Sequence, residues 1–428
     1  MNNLLLRHVK VVDPGGPHHD TEVDILVQDG RITKVGERIA KGDATEVRRE
    51  GLHASPGWVD LRAHFREPGE EWKQGIRNGL DAAARGGFTS VAVLPSTTPA
   101  VDDHGGVAHL LSRAEGHLVQ LLPIGGLTKG LKGQQLAELH DQRLAGAVAF
   151  SDDQHSVRNT RLMLLALQYT SGLPGATPPV MIFPQDPDLG LGGMMHEGPL
   201  STRLGLKGIP VIAETIALQR DLAILEYAGG HLHVATLSTA EGVELVRQAK
   251  QRKLNVTASV AVHNLLLDDG CLRGFETRYK VLPPLRDSVH IDALREGVKD
   301  GTIDAIVSDH RPEDRERKLV EFGQAAFGII GLETSFAVAN TALKGHMTLR
   351  RRIERFSHGP RAVLGMPDVH IAEGPADITL FDPEEDWTCE EHDLVSRSHN
   401  TPFLGQRLTG RPLGVMACGQ VLLHPALS

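Results

Sequence analysis

At 428 residues, with 54 acidic and 45 basic side chains and a formal charge of -9, the chain can bury a large core. It carries no basic tract of the kind that binds nucleic acid or an anionic membrane. Cys271, Cys389 and Cys418 are scattered without paired spacing, which excludes a disulfide scaffold and a cysteine zinc motif and points to a reducing cytoplasm; no apolar run is long enough to span a bilayer and no signal-peptide pattern opens the chain.

Residues 4 to 51 alternate short apolar runs with turns: Leu4 to Val12, Val23 to Val27, Ile32 to Val35 and Thr45 to Val47. The Asp29-Gly30 pair predicts a tight hairpin, because both positions tolerate the left-handed backbone that such a turn requires. This antiparallel sheet is too thin to hold a core alone, so a later segment must complete it.

Pro56-Gly57 then predicts a turn launching a short apolar run that ends in Arg62, His64 and Arg66. A buried strand delivering polar side chains to a pocket has this pattern. From here strand and amphipathic segment repeat. The candidate strands are Trp58 to Leu61, Phe88 to Pro95, Leu118 to Ile124, Ala147 to Phe150, Val180 to Phe183, Leu232 to Leu237, Asn255 to Val260 and Ile303 to Ser308. Helices are predicted near 73-85, 104-116, 134-144, 160-170, 214-228, 240-252 and 291-299. The alternation predicts an α/β chain folded as a (β/α)8 TIM barrel, with its reactive groups on the loops that follow the strands.

The proline-rich stretch 172-179 should deliver the chain stiffly into strand five. The glycine-rich segment 184-210 after that strand reads as a long loop, a lid or an assembly surface. The charged run Arg311 to Arg317 reads as a solvated face. After a helical region near 335-365, strand-like runs return at Ile378 to Phe381, Pro412 to Ala417 and Gln420 to Leu423. They are expected to join residues 4 to 51 in a small β-sandwich-like domain. The expected division is therefore 1-54 and 366-428 for that domain, with 55-365 as the barrel.

Strand ends supply Arg62, His64, Arg66, Ser96, Thr97, Asp152, Asp153, Gln185, Asp186, Thr236, Asp309 and His310. His64, Asp153 and Asp309 offer the nitrogen and oxygen ligands that zinc accepts, and they serve equally as hydrogen-bonded groups filling a polar barrel mouth. Arg62 favours the second reading, since a guanidinium has only donors and a permanent positive charge.

Arg66-Glu67-Pro68-Gly69, Ser151-Asp152-Asp153, Glu197-Gly198-Pro199-Leu200, Pro283-Pro284-Leu285-Arg286, Ser308-Asp309-His310 and Asn400-Thr401-Pro402-Phe403 occur in this order. Together they make the chain resemble the dihydroorotase branch of the amidohydrolase superfamily over nearly its whole length. The resemblance implies a zinc-binding His-x-His pair after strand one, yet Arg62 stands at its first position and only His64 remains. It implies further histidines where this chain has Phe183, Thr236 and Glu313. Asp153 matches the carboxylate after strand four, and Asp309 the catalytic and metal-binding aspartate. Arg66 matches the arginine that holds the substrate carboxylate, while Ser96 and Leu282 replace its asparagine companions.

The resemblance, with these departures, implies a non-catalytic homologue. Such a protein would need no cofactor, and would support an aspartate carbamoyltransferase complex in pyrimidine biosynthesis as a homo-oligomer; segment 184-210, long and mixed apolar and polar, is the preferred candidate for the assembly surface. Arg62 would replace the lost metal charge by bridging to Asp309 or Asp153. The enzymatic alternative is an active dihydroorotase or altered cyclic amidase with zinc on His64, Asp153 and Asp309. A third alternative is a small-molecule sensor built on Arg66.

Overall fold

The apolar runs from residue 58 onward become eight parallel strands: Trp58–Ala63, Phe88–Val93, Gln120–Gly126, Ala149–Ser151, Val180–Ile182, Leu232–Val234, Val256–Ala261 and Ala305–Val307. They pair in chain order in the computed structural model, which describes residues 3-427. Most are buried along their whole length, as strands covered on both faces must be, and so their sequences run apolar without alternation. The ring closes between its first and last members: Ala63 bridges to His310, and the His64 amide donates to the His310 carbonyl at 2.8 Å. The architecture is thus the expected α/β barrel.

Helices fill the connections, and their starts follow local chemistry. Asp103, Asn159, Thr239 and Asp287 each accept a backbone N–H from the first turn that follows them, satisfying donors that a helix leaves unpaired. No helix among the described residues is long and apolar enough to cross a membrane.

The chain ends build a second sheet of nine strands. Asp29 and Gly30, at φ 48° and 73°, form the hairpin between Glu22–Gln28 and Arg31–Gly36. Ile378–Thr388 and Arg407–Ala417 join from the C-terminal side. The connecting strand is His53–Pro56, which pairs parallel with Leu4–Val11 and antiparallel with Ile378–Thr388. Leu6, Ile25, Val27, Ile378, Leu380 and Leu413 share one apolar cluster, so each half buries the face that the other leaves open.

Three expectations are corrected. Pro56-Gly57 makes no turn: strand His53–Pro56 continues almost directly into Trp58–Ala63. Gly57 is needed there because a Cβ would lie 1.9 Å from Asp377 Oδ1 and 2.1 Å from Thr89 Oγ1. Segment 184-210 is not structureless, since Met195–His196 pairs with Gly208–Ile209 around the helix Pro199–Leu204. The run 311-317 is not simply a solvated face: Arg311 and Glu313 are buried, and only its later part is exposed.

Candidate functional site

Arg62 lies near the end of the first barrel strand with its side chain directed into the mouth. Its Nε donates to Asp309 Oδ1 at 2.8 Å and its Nη2 to Asp153 Oδ1 at 2.7 Å. All three residues are buried, so solvent screens the pairs little, and each carboxylate removed from water has a compensating cation. Phe183 supplies an aromatic wall, its ring centre 5.7 Å from the Arg62 guanidinium carbon.

Arg311 brings a second guanidinium, whose Nη2 donates to both oxygens of Asp153 at 2.8 and 2.7 Å. Burial alone would raise the Asp153 pKa, but Arg311 and Arg62 hold it well below the usual carboxylate range. Arg311 escaped the sequence reading because its neighbours are charged, although its place two residues after Asp309 was a usable signal.

His64 is committed on both ring nitrogens. The Arg66 amide donates to Nδ1 at 3.3 Å, so Nε2 carries the hydrogen and gives it to Ser96 Oγ at 2.9 Å. Ser96 in turn donates to Asp153 Oδ2 at 2.5 Å. Burial, with Arg66 and Arg311 nearby, lowers the His64 pKa well below its ordinary value, consistent with a neutral ring in this chain of bonds.

Arg66 is engaged as well. It pairs with Glu313, donates from Nε to the Pro312 carbonyl at 3.0 Å, and reaches Glu70 at 3.4 Å. Lys73 holds the other oxygen of Glu313 at 2.9 Å. The carboxylate that stands at an expected histidine position therefore takes up the arginine expected to hold a substrate carboxylate.

The backbone is left-handed at Arg66, Asp153, Thr236 and Asp309, with φ between 45° and 61°. Each such non-glycine residue costs on the order of 1–3 kcal/mol and persists only where surrounding contacts impose it. The strand ends thus keep the strained geometry of a site while their side chains bond to one another.

These residues do not fit a metal. Arg62 places its charge between the two carboxylates, His64 has no free nitrogen, Thr236 Oγ1 donates to the Ala235 carbonyl at 2.7 Å, and Phe183 has no ligand atom. The space beside Asp152, Asp153 and Phe183 is about 10 Å³, no more than one water-sized sphere. A larger cleft of about 780 Å³ opens outside, touching Ser96, Lys132, His155 and Arg158. Of the sequence-predicted metal and substrate residues, only Ser96 lines it.

The expectation that no metal is needed anywhere is nevertheless too broad. Among the described residues two groups could hold an ion, Asp13 with His358 and His370, and His196 with Asp287 and His290. Neither includes His64, Asp153 or Asp309.

The buried histidines give a pH prediction. Burial pushes His233 and His310 down to about 3 and His263 and His196 to about 4, with His64 also depressed. Below about 6.5 the unfolded chain binds protons that these folded rings refuse, so they favour unfolding as pH falls. Asp60, raised to about 7, and Asp152 and Asp221, raised to about 6, act in the opposite sense. Their contribution is present below about pH 3.8 and is lost as pH rises through the folded values. His53, His231 and His424 are lowered as well, against Glu333, Asp269 and His358, which are raised; eight lowered histidines against five raised carboxyls and one raised histidine leave a net loss on acidification. The urea unfolding midpoint should be lower at pH 5 than at pH 7.5; an unchanged or higher midpoint would contradict this balance.

A family model described as Dihydro-orotase-like matches residues 53–242. A protein named Dihydroorotase from Pelobacter propionicus is 41% identical over 424 residues, covering 98% of this chain and 99% of its own. One of the same name from Pelotomaculum thermopropionicum is also 41% identical, covering 98% of each. Among solved structures, an L-hydantoinase (dihydropyrimidinase) from Arthrobacter aurescens superposes with a TM-score of 0.84 at 23% identity, covering 99% of this chain and 96% of that one. That last likeness shows the fold alone.

Proposed function

Because the chain belongs to the dihydroorotase-like amidohydrolase family, we propose that it is a member without ring chemistry, acting as a structural partner of aspartate carbamoyltransferase in pyrimidine biosynthesis. The observation that carries this reading is the Arg62 guanidinium bonded to both Asp153 and Asp309. A divalent cation held by those carboxylates would meet a fixed positive charge at hydrogen-bonding distance, and its arrival would require Arg62 to leave two buried partners. Without a metal-activated water, Asp309 has nothing to deprotonate. The Arg66 pair with Glu313 and Lys73 further leaves the substrate side without a free guanidinium.

On this reading the chain self-associates and meets the transferase through segment 184-210. Leu189 and Leu191 of that segment are 40% and 67% exposed, which favours a protein contact there.

A second reading, an active dihydroorotase or altered cyclic amidase, is favoured by the name that the 41%-identical relatives bear. That name supports catalysis more directly than it supports a structural role. The deciding experiment is a zinc-supplemented assay of the purified chain in both directions, dihydroorotate hydrolysis and carbamoyl-aspartate cyclisation, with co-elution against the transferase catalytic subunit. The proposal expects no turnover above background and a stable complex. Robust turnover that disappears in Asp309→Ala would overturn it, as would failure to associate.

A further inference from the structure

We propose that Asp13, His358 and His370 form a zinc site on the face of the barrel opposite the mouth, joining the chain-end sheet to the last barrel helix. Asp13 follows strand Leu4–Val11, His358 begins helix His358–Leu364, and His370 lies in the stretch that leads to the C-terminal strands. Their ligand atoms lie within 4.8 Å of one another.

The hydrogen bonding leaves suitable atoms free. Asp13 is fully buried, and its Oδ2 accepts the Ile371 amide at 2.7 Å, which leaves Oδ1 facing the two rings. His370 Nδ1 lies 3.0 Å from that oxygen. His358 Nε2 lies 3.6 Å from it, too far for a hydrogen bond, and is buried with no hydrogen-bond partner among the described residues. An orphaned buried nitrogen of this kind calls for an explanation. Two ligands on one tetrahedral zinc, each about 2.0–2.1 Å from the ion, stand roughly 3.3 Å apart, and both separations bracket that value.

The surroundings fit the same role. Asp368 Oδ1 is 3.5 Å from His358 Nδ1, on the side from which a carboxylate fixes a ligating ring with its other nitrogen free. A cleft of about 630 Å³ borders His358, His370 and Asp368, giving an ion access and a water the fourth position. Two arginines on its wall are engaged elsewhere, Arg350 with Glu354 and Arg355 with the Val298 carbonyl.

The second group lacks these features. Arg286 donates to His196 Nδ1 at 3.0 Å and the Ala240 amide to His290 Nδ1 at 3.0 Å. One ring thus sits against a permanent cation, and the other has one nitrogen occupied.

Zinc at this site would take the place of the hydrogen between His370 Nδ1 and Asp13 Oδ1, so the His370 ring would ligate as the tautomer that carries its hydrogen on Nε2. The test uses the full chain, stripped with a chelator, titrated with zinc, desalted and assayed for bound metal. One equivalent should be retained and should raise the thermal midpoint. His370→Gln, at a side chain 35% exposed, should lose that equivalent and the midpoint shift. Asp368→Asn, at a side chain 69% exposed, should weaken binding about ten- to a hundredfold. His64→Ala should leave this equivalent in place; any additional zinc lost in that variant belongs to the barrel mouth and bears on the proposed function instead. A stripped wild type that takes up no zinc, or a His370→Gln protein with unchanged content, overturns the site.

Discussion

Replacing Arg62 by alanine should destabilise the protein by about 3–5 kcal/mol, the usual cost of leaving a buried charge without its partner. The loss should appear as a lower urea midpoint. Asp153 would keep Arg311 and Ser96, but Asp309 would lose the one side chain that hydrogen-bonds to it among the described residues. The damage should therefore depend on Asp309. Adding Asp309→Leu to Arg62→Met should recover part of the loss, since an apolar pair of similar volume leaves no unpaired charge. Arg62→Lys should fall between, because an ammonium lacks the fork that spans both carboxylates. A cost below about 1 kcal/mol for Arg62→Ala would mean the bridge is screened as on a surface, and the proposed charge replacement would fail with it.

Trp58→Ala should be comparably severe, about 3–5 kcal/mol, because the loss of a large buried aromatic leaves a cavity that its neighbours only partly fill. The Trp58 ring is fully buried and lies 4.7 Å from Phe336, 5.5 Å from Phe356, 5.4 Å from Phe381 and 6.3 Å from Phe88 between ring centres. Its Nε1 donates to Ser55 Oγ at 2.9 Å. Gly87 permits this approach: its φ is +89°, and a Cβ there would lie 2.8 Å from the indole. Phe381 belongs to the chain-end sheet and Phe88 to the barrel, so the cavity would open where the two meet. Equilibrium denaturation of Trp58→Ala beside Trp72→Ala, whose ring is 59% exposed, measures the difference. Comparable small losses from both would show that the aromatic cluster does not hold the junction.

The barrel was readable because parallel strands buried on both faces leave continuous apolar runs, and the helices between them carry their own caps. His53–Pro56 was not readable: four residues containing His, Ser and Pro give no strand pattern, and most of that strand's pairing lies with Ile378–Thr388, far along the chain. Arg62 could be placed from its position after the first strand, and its two carboxylate partners from the ends of the fourth and eighth. The burial of Arg311 and Glu313 was not legible, although Arg311 lies two residues after Asp309 and Glu313 stands at an expected histidine position. A local run of charges reads as solvated, whereas their burial depends on Asp153, Arg66 and Lys73, which lie at least 158 positions away. The departures at Phe183, Thr236 and Glu313 were visible as letters, but that Glu313 would take up Arg66 needed the fold.

The strand His53–Pro56 also orders events in time. Its neighbour Trp58 donates its amide to Thr379 Oγ1, 321 positions away, and its open edge is filled by Ile378–Thr388. A ribosome adding about 5–20 residues per second takes roughly 16–64 seconds to make that intervening length. Throughout that interval the apolar face of Leu6, Ile25 and Val27 waits for Ile378, Leu380 and Leu413. The barrel can be assembled from successive neighbours as they emerge, but the sheet that packs against its first two strands is finished last. Early strands of this protein therefore spend their first half-minute or so as an exposed sticky edge, a burden on cellular folding assistance set by chain connectivity.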